Sequence, residues 1–295
     1  MLSVVIPTYK NKELLIKNIT HNISFLKDCE IIIVNDDPQY SIKSNFSKYP
    51  KITILENNQN LGFSGAVARG IQKSTNHYIM LLNNDVLLHD MSYRQALLNL
   101  EKNQDLFAVS FAQRQKDSTI IGKNKIFWKE GFFQHKKAED LMYGINAWAE
   151  GGSCMINKRI YEKIGGFDSL YSPFYWEDVD ISYRAWKQGF QILFDPSIVV
   201  DHDHESTIGK YFKNNHIQKI AYRNQFIFIW KNINDKKLIT SHILRLIIIL
   251  PYMIVTNMLF VMGLFDALMQ LKHIIKRKKI QYADLGDRQV LQKFI

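Results

Sequence analysis

The chain has 295 residues, 46% of them hydrophobic, and its 18 Phe, 14 Tyr and 5 Trp against only 6 Pro exclude a disordered polypeptide. That content can bury the core of one large or two small domains. The net charge of +10 calls for an anionic partner, whether nucleic acid, acidic lipid or a phosphorylated small molecule.

Leu2 to Ile6 pass at once into a buried strand without a basic leader, so the start does not resemble a signal peptide. Residues 3–7 form that strand, ending in Pro7-Thr8-Tyr9. Leu14, Leu15, Ile19, Ile23 and Leu26 carry helical spacing over 13–26. A second strand spans 30–34, stopped by Asn35-Asp36-Asp37-Pro38, and a third spans 52–56. Next come the loop 57–63, a helix over 64–74 and a strand over 78–82 that ends at Asn83-Asn84-Asp85. Alternating strands and helices predict an α/β layer with a mostly parallel sheet. Ligands collect at the C-terminal strand ends of such sheets. Those ends carry Thr8 and Tyr9, then Asn35, Asp36 and Asp37, then Asn60 and Gly62, then Asn83 and Asp85.

Between 105 and 150 basic residues alternate with Phe127, Trp128, Phe132 and Phe133, which predicts a mobile substrate loop over a site. Single-stranded nucleic acid is the other reading of such a segment, but no RNA-binding module surrounds it. A strand over 151–156, a helix over 158–164 and the turn Gly165-Gly166-Phe167-Asp168 follow. Glu177, Asp178 and Asp180 then place three carboxylates within four positions, ahead of a helix over 181–188. Like charges and burial raise one another's pKa, so the cluster needs either a function or a solvated helix start to justify it. Strands over 191–194 and 198–200, separated by a turn at Asp195-Pro196, lead into His202 and His204. The two cysteines, Cys29 and Cys154, offer no disulfide framework or zinc spacing and fit a reducing compartment.

Leu246 to Phe265 is a run of 20 residues without a charged side chain, long enough to span a bilayer. Pro251 and Asn257 interrupt it, and basic residues flank both ends: Lys231, Lys236, Lys237 and Arg245 before it, Lys272, Lys276, Arg277, Lys278 and Lys279 after it. A single span would export one basic cluster. Interfacial helices or a shallow re-entrant hairpin keep both on anionic lipid. A soluble helical cap is the alternative.

Residues 4–9, Asn60-Leu61-Gly62-Phe63-Ser64-Gly65, Leu81 to Asp85, Gly165 to Asp168, and Glu177-Asp178-Val179-Asp180 with Arg184 stand in the order and spacing of a known family. With His202, His204 and Ser206 they make the chain resemble a family 2 glycosyltransferase, of the bacterial rhamnosyltransferase-like branch, over about residues 1–210. The resemblance implies a GT-A fold: a Rossmann-like, mixed and mostly parallel sheet flanked by helices. It divides the chain into a catalytic domain over 1–210, with a nucleotide-sugar half over 1–100 and an acceptor half over 101–210, and a helical membrane-associating tail over 211–295. It implies a nucleotide-diphospho-sugar donor, dTDP-rhamnose or a UDP-hexose, held by Thr8, Tyr9, Glu13, Asn35, Asp36, Asn60, Gly62, Phe63, Arg69 and Asn84. A divalent cation, Mg²⁺ or Mn²⁺, would sit on Asp85, with Asn83, His202 and His204 around it. Asn83 stands where the family's metal motif usually has an Asp. Asp178 matches the catalytic base and Glu177 its acceptor-side neighbour, whereas Asp180 and Arg184, at i and i+4, imply a helix-face ion pair. The acceptor would be a polyprenyl-diphosphate-linked or polysaccharide hydroxyl at the cytoplasmic face of a bacterial inner membrane. A non-catalytic membrane-associated binder of the same fold is the competing expectation; nucleic acid is not expected as a partner, because the acidic site residues repel phosphates.

Overall fold

The computed structural model describes residues 1–202, 211–278 and 283–295. Its first half alternates β1 (Leu2–Thr8), α1 (Lys12–Asn22), β2 (Glu30–Asn35), β3 (Ile52–Glu56), α2 (Gly62–Lys73) and β4 (Tyr78–Leu82). β3, β2, β1 and β4 lie side by side in parallel. Buried on both faces, β1 and β2 divide their residues by parity: Val5, Ile32 and Val34 face one core, and Val4, Ile6, Ile31 and Ile33 the other. Leu15 and Ile19 of α1 cover one face, and Ala66, Val67 and Ile71 of α2 the other.

The second half continues the sheet with β5 (Val86–Leu88), β6 (Leu106–Arg114), β7 (Ile120–Ile121), β10 (Gly144–Ile145), β11 (Ser153–Asn157) and β12 (Gln191–His202). β11 runs antiparallel between β4 and β6, and β6 pairs in parallel with β12. β8 (Asn124–Lys129) and β9 (Phe132–Lys137) form a separate hairpin, and α3 (Tyr93–Lys102), α4 (Lys158–Lys163) and α5 (Glu177–Lys187) pack on the sheet.

Three expectations are corrected. The 105–150 segment is no mobile loop: β6 is a buried central strand, and the hairpin's Phe132 and Phe133 are core residues whose aromatic pattern mimics an exposed loop only in one dimension. Asp195-Pro196 is not a turn between two strands but an irregularity within the single strand β12, where the pairing with β6 shifts register. The acidic cluster does not precede its helix; it is the helix's first turn, because α5 starts at Glu177.

Behind the sheet stand α6 (Asn214–Asn232), α7 (Lys236–Thr256), α8 (Met258–Met269), α9 (Leu271–Lys278) and α10 (Asp287–Gln292). Phe226, Ile227, Phe228 and Ile229 of α6 are fully buried in the same core as α5, so the first tail helix is part of the body. The pair α7 and α8 differs. α7 continues through Pro251 and breaks at Asn257, whose side chain caps α8 by accepting from the Phe260 N–H at 3.2 Å. α7 has a mean hydropathy of 2.0 over its most apolar window, only 6% of which is buried. Its Ile243, Leu244, Ile247, Ile248 and Val255 are exposed together with Met262 and Phe265 of α8.

Candidate active site

The strand ends of the first half open into a cleft of about 620 Å³. Thr8, Tyr9, Asp36, Asn60, Gly62, Phe63, Asn83, Asn84, Asp85 and His202 line one side, and Glu177 and Asp178 the other. α1 fixes the first side through two buried side chains: Asn18 donates to the Asn84 carbonyl at 3.0 Å, and Asn22 bonds both Val86 O and Leu88 N at 2.9 Å. Asn84 in turn donates to the Thr8 hydroxyl at 2.9 Å. Asp36 clamps the next loop, accepting from the Asn57 amide at 2.7 Å and the Leu61 N–H at 2.9 Å. Burial raises its pKa, against those donors. Gly62 is required where it stands: its φ is +72°, and a Cβ would lie 2.7 Å from the Pro173 carbonyl oxygen.

Three candidates lie outside the cleft. Glu13 is exposed on α1, because Leu15, Asn18, Ile19 and Asn22 take the positions that face the sheet. Asn35 is a turn residue, donating to the Tyr40 carbonyl at 2.7 Å and accepting from Asp37 N–H. Arg69 is spent on the Glu56 carbonyl, at 2.7 Å, and on Asn57. His204 lies outside the described residues.

On the far side, α5 begins under strain. Tyr175 and Trp176 hold φ of 70° and 75°, a left-handed conformation costing roughly 1–2 kcal/mol per residue. Asn224 of α6 holds them there, its amide donating to the carbonyls of Tyr171, Phe174 and Tyr175 at 3.0, 3.0 and 2.8 Å. This turn presents the first two carboxylates of α5 to the cleft. Asp178 accepts from Val179 N–H at 2.8 Å. Burial first and the Glu150 carboxylate second raise its pKa to about 6. Glu177 is 7% exposed, and its Oε2 is buried without a hydrogen-bond partner among the described residues. Burial, then the charge of Asp178, pushes its pKa well above that of a free carboxyl, which favours the neutral form of Glu177.

Asp180 points the other way, into the protein. It accepts from Tyr171 OH and Lys231 at 2.8 Å, from Asn232 at 2.8 Å and from Arg184 at 2.9 Å. Lys231 also pairs with Asp168 at 2.7 Å, and Arg184 with the carbonyl of Gly166 at 2.6 Å. The i,i+4 pair is therefore the centre of a buried network that ties Gly166 to Asp168, α5 and α6 together.

Asp85 Oδ1 is buried with no hydrogen-bond partner among the described residues and lies 3.3 Å from His202 Nε2. Asn83 and His202 both crowd Gly152, whose Cβ would fall 2.7 Å from Asn83 Nδ2 and 2.9 Å from His202 Cε1. Two oxygen- and nitrogen-bearing side chains converging on one point fit a divalent cation. Among the described residues no third His, Cys, Asp or Glu joins them, so the rest of a cation's shell would come from ligand and water oxygens. Residues that the sequence did not single out also reach the cleft: His135 from the hairpin, Trp148 and Glu150 from the segment before β11, and Ala221 from α6. Only the Glu150-Gly151-Gly152 step ahead of a strand carried a local signal; a Cβ on Gly151 would meet the Phe63 ring at 2.8 Å.

The family model described as Glycosyl transferase family 2 matches residues 3–165. The poly-beta-1,6-N-acetyl-D-glucosamine synthase of Staphylococcus epidermidis is 26% identical over 172 residues, covering 57% of this chain and 41% of the relative. The Staphylococcus aureus synthase is 23% identical over 175 residues with the same coverage, so the chain spans about two fifths of the length of these curated relatives. Among solved structures, GalNAc-T7 with UDP, GalNAc and Mn²⁺ superposes at a TM-score of 0.59 with 14% identity, covering 87% of this chain and 57% of that one. A mannosyltransferase from Pyrobaculum calidifontis with GDP-Man and Mn²⁺ gives 0.55 with 13% identity, covering 95% and 83%. The fold is therefore of the GT-A type.

Proposed function

Because the chain belongs to glycosyl transferase family 2, we propose that it transfers a sugar from a nucleotide-diphosphate donor to an acceptor hydroxyl by one inverting displacement, with Asp178 as the base. One observation carries the reading: a carboxylate with a pKa of about 6 shares a cleft with the Asp85–His202 pair. The acceptor oxygen gives its proton to Asp178 as it attacks the anomeric carbon, and the diphosphate leaves from the opposite face. Glu177, its pKa raised by burial and its buried Oε2 without a partner among the described residues, binds the acceptor hydroxyl rather than taking its proton. Thr8, Asp36, Asn60 and Asn84 hold the nucleotide at the strand ends. Asp85 and His202, with Asn83 beside them, would hold Mg²⁺ or Mn²⁺, whose charge offsets that of the departing diphosphate. The donor is dTDP-rhamnose or a UDP-hexose.

A lipid-linked acceptor at the cytoplasmic face of a bacterial membrane suits the tail. α6 lends Ala221 to the cleft, and its next residues, Tyr222 and Arg223, pack directly against Gly263 on the buried side of α8, whose Met262 and Phe265 are exposed. The lipid-facing surface and the cleft are thus separated by one helix. Vesicles containing an anionic phospholipid are expected to bind the protein, and Ile248→Glu with Val255→Glu to abolish sedimentation with them. Unchanged sedimentation of that variant would remove the membrane from the proposal.

The direct test is a thermal-shift panel of dTDP-, UDP- and GDP-sugars with Mn²⁺, since a ligand that binds the folded state raises its melting temperature by mass action. One nucleotide series is expected to stand out and its sugar to be transferred or hydrolysed. A flat panel without turnover would overturn the reading. The pH profile is a second check. The base must be deprotonated, so kcat/KM is expected to fall as pH drops through about 6. Glu150→Gln removes a like charge and should move that limb to lower pH.

A further inference from the structure

Gln113, on the central strand β6, is completely buried. A buried primary amide is costly unless both its ends are paired. Its Nε2 donates to Glu150 Oε2 at 2.6 Å, and its Oε1 lies 2.6 Å from His202 Nδ1. An ionised carboxylate only accepts, so Glu150 fixes which end of the amide is the NH₂. That leaves Oε1 toward His202, and Oε1 can only accept. His202 therefore carries a proton on Nδ1, and in the neutral ring its Nε2 lone pair is turned toward Asp85 Oδ1, 3.3 Å away. A nitrogen lone pair facing a carboxylate oxygen is repulsive unless a proton or a metal cation lies between them.

We infer that Gln113 is a positioning residue: one amide presents the His202 Nε2 lone pair to a divalent cation on Asp85 and, at its other end, holds Glu150 beside Asp178. The inference rests on the cation site proposed above and adds the residue that organises it. It links the leaving-group side of the cleft to the base side through a single side chain. Glu150 is held from a second direction by Asn124, whose amide donates to Oε1 at 3.2 Å, so the loss of Gln113 would release His202 more than Glu150.

The test compares Gln113→Met with the exchange Gln113→Glu/Glu150→Gln. Methionine fills the volume with neither donor nor acceptor. The exchange keeps both hydrogen bonds, because Glu at 113 accepts from His202 and from the new amide at 150. Mn²⁺ affinity is read by electron paramagnetic resonance, in the presence of whichever of UDP, dTDP or GDP most stabilises the wild type, with melting temperature as the folding control and His202→Ala as the reference. Gln113→Met is expected to weaken Mn²⁺ binding about tenfold or more, the usual scale for losing a ligand's hydrogen-bond partner, and the exchange to stay within about threefold of wild type. A packing role alone would treat the two variants alike. Wild-type affinity in Gln113→Met, or an exchange variant as weak as Gln113→Met, overturns the inference. If the wild type binds no Mn²⁺, or His202→Ala binds it undiminished, the cation site itself falls and this role with it.

Discussion

Asp178→Asn should lower kcat by about 10²–10⁴-fold, the range for losing a general base, while nucleotide binding persists. The asparagine keeps the shape and the bond from Val179 N–H at 2.8 Å, so the start of α5 is retained. What disappears is the proton acceptor. The donor-side contacts of Thr8, Asp36 and Asn84 do not involve α5 and remain. Steady-state turnover together with the thermal shift by the preferred nucleotide separates the two effects. Near-normal turnover would end the assignment of Asp178. Glu177 makes a poor substitute base, since burial raises its pKa and favours the protonated form.

Lys231→Met should cost about 3–5 kcal/mol of stability, as expected when one partner of a buried ion pair is removed. Lys231 is 2% exposed and serves two carboxylates, Asp180 at 2.8 Å and Asp168 at 2.7 Å. Its loss leaves both short of a cation in a buried region. Urea denaturation measures the loss, and a change under about 1 kcal/mol would show that the network is not the brace described above. pH gives a second handle. Burial, the largest influence on Asp180, raises its pKa, but Arg184, Lys231 and Asn232 together outweigh it and hold it well below the usual carboxylate range. A depressed folded pKa stabilises above the unfolded value of about 4 and loses that contribution as pH falls toward the folded one. Asp180→Asn should therefore lose less stability than wild type on acidification. The network has functional weight, because the turn it anchors carries Asp178.

Both variants bear on how much was legible beforehand. Asp85, Asp36 and Asn60 could be found because parallel strands end on one edge, so polar residues after successive apolar runs must meet, and the acidic turn because it sets three carboxylates within four positions. The second half was harder. β6 carries Ser110 and Gln113 inside a buried strand, and the hairpin's aromatics alternate with lysines, so no simple period marks either as core. Arg69 and Glu13 stand close in sequence to cleft-lining loops, yet the helix face each occupies leaves both outside the cleft.

The sequence by itself determined the α/β layer, the succession of its first strands along the chain and the carboxylates that stand near the cleft, because these depend on local runs and on spacing along the chain. Only the tertiary structure decided where each of them points. It separated Asp178 from Asp180, two residues apart, by turning one toward the cleft and the other onto Lys231, 51 residues away. It placed Gln113 between His202 and Glu150, and Asn224 under the strained turn at Tyr175 and Trp176. The physical reason is the same in each case. A buried polar group takes its properties from the partner it meets in space, and those partners come from strands and helices that no local pattern connects.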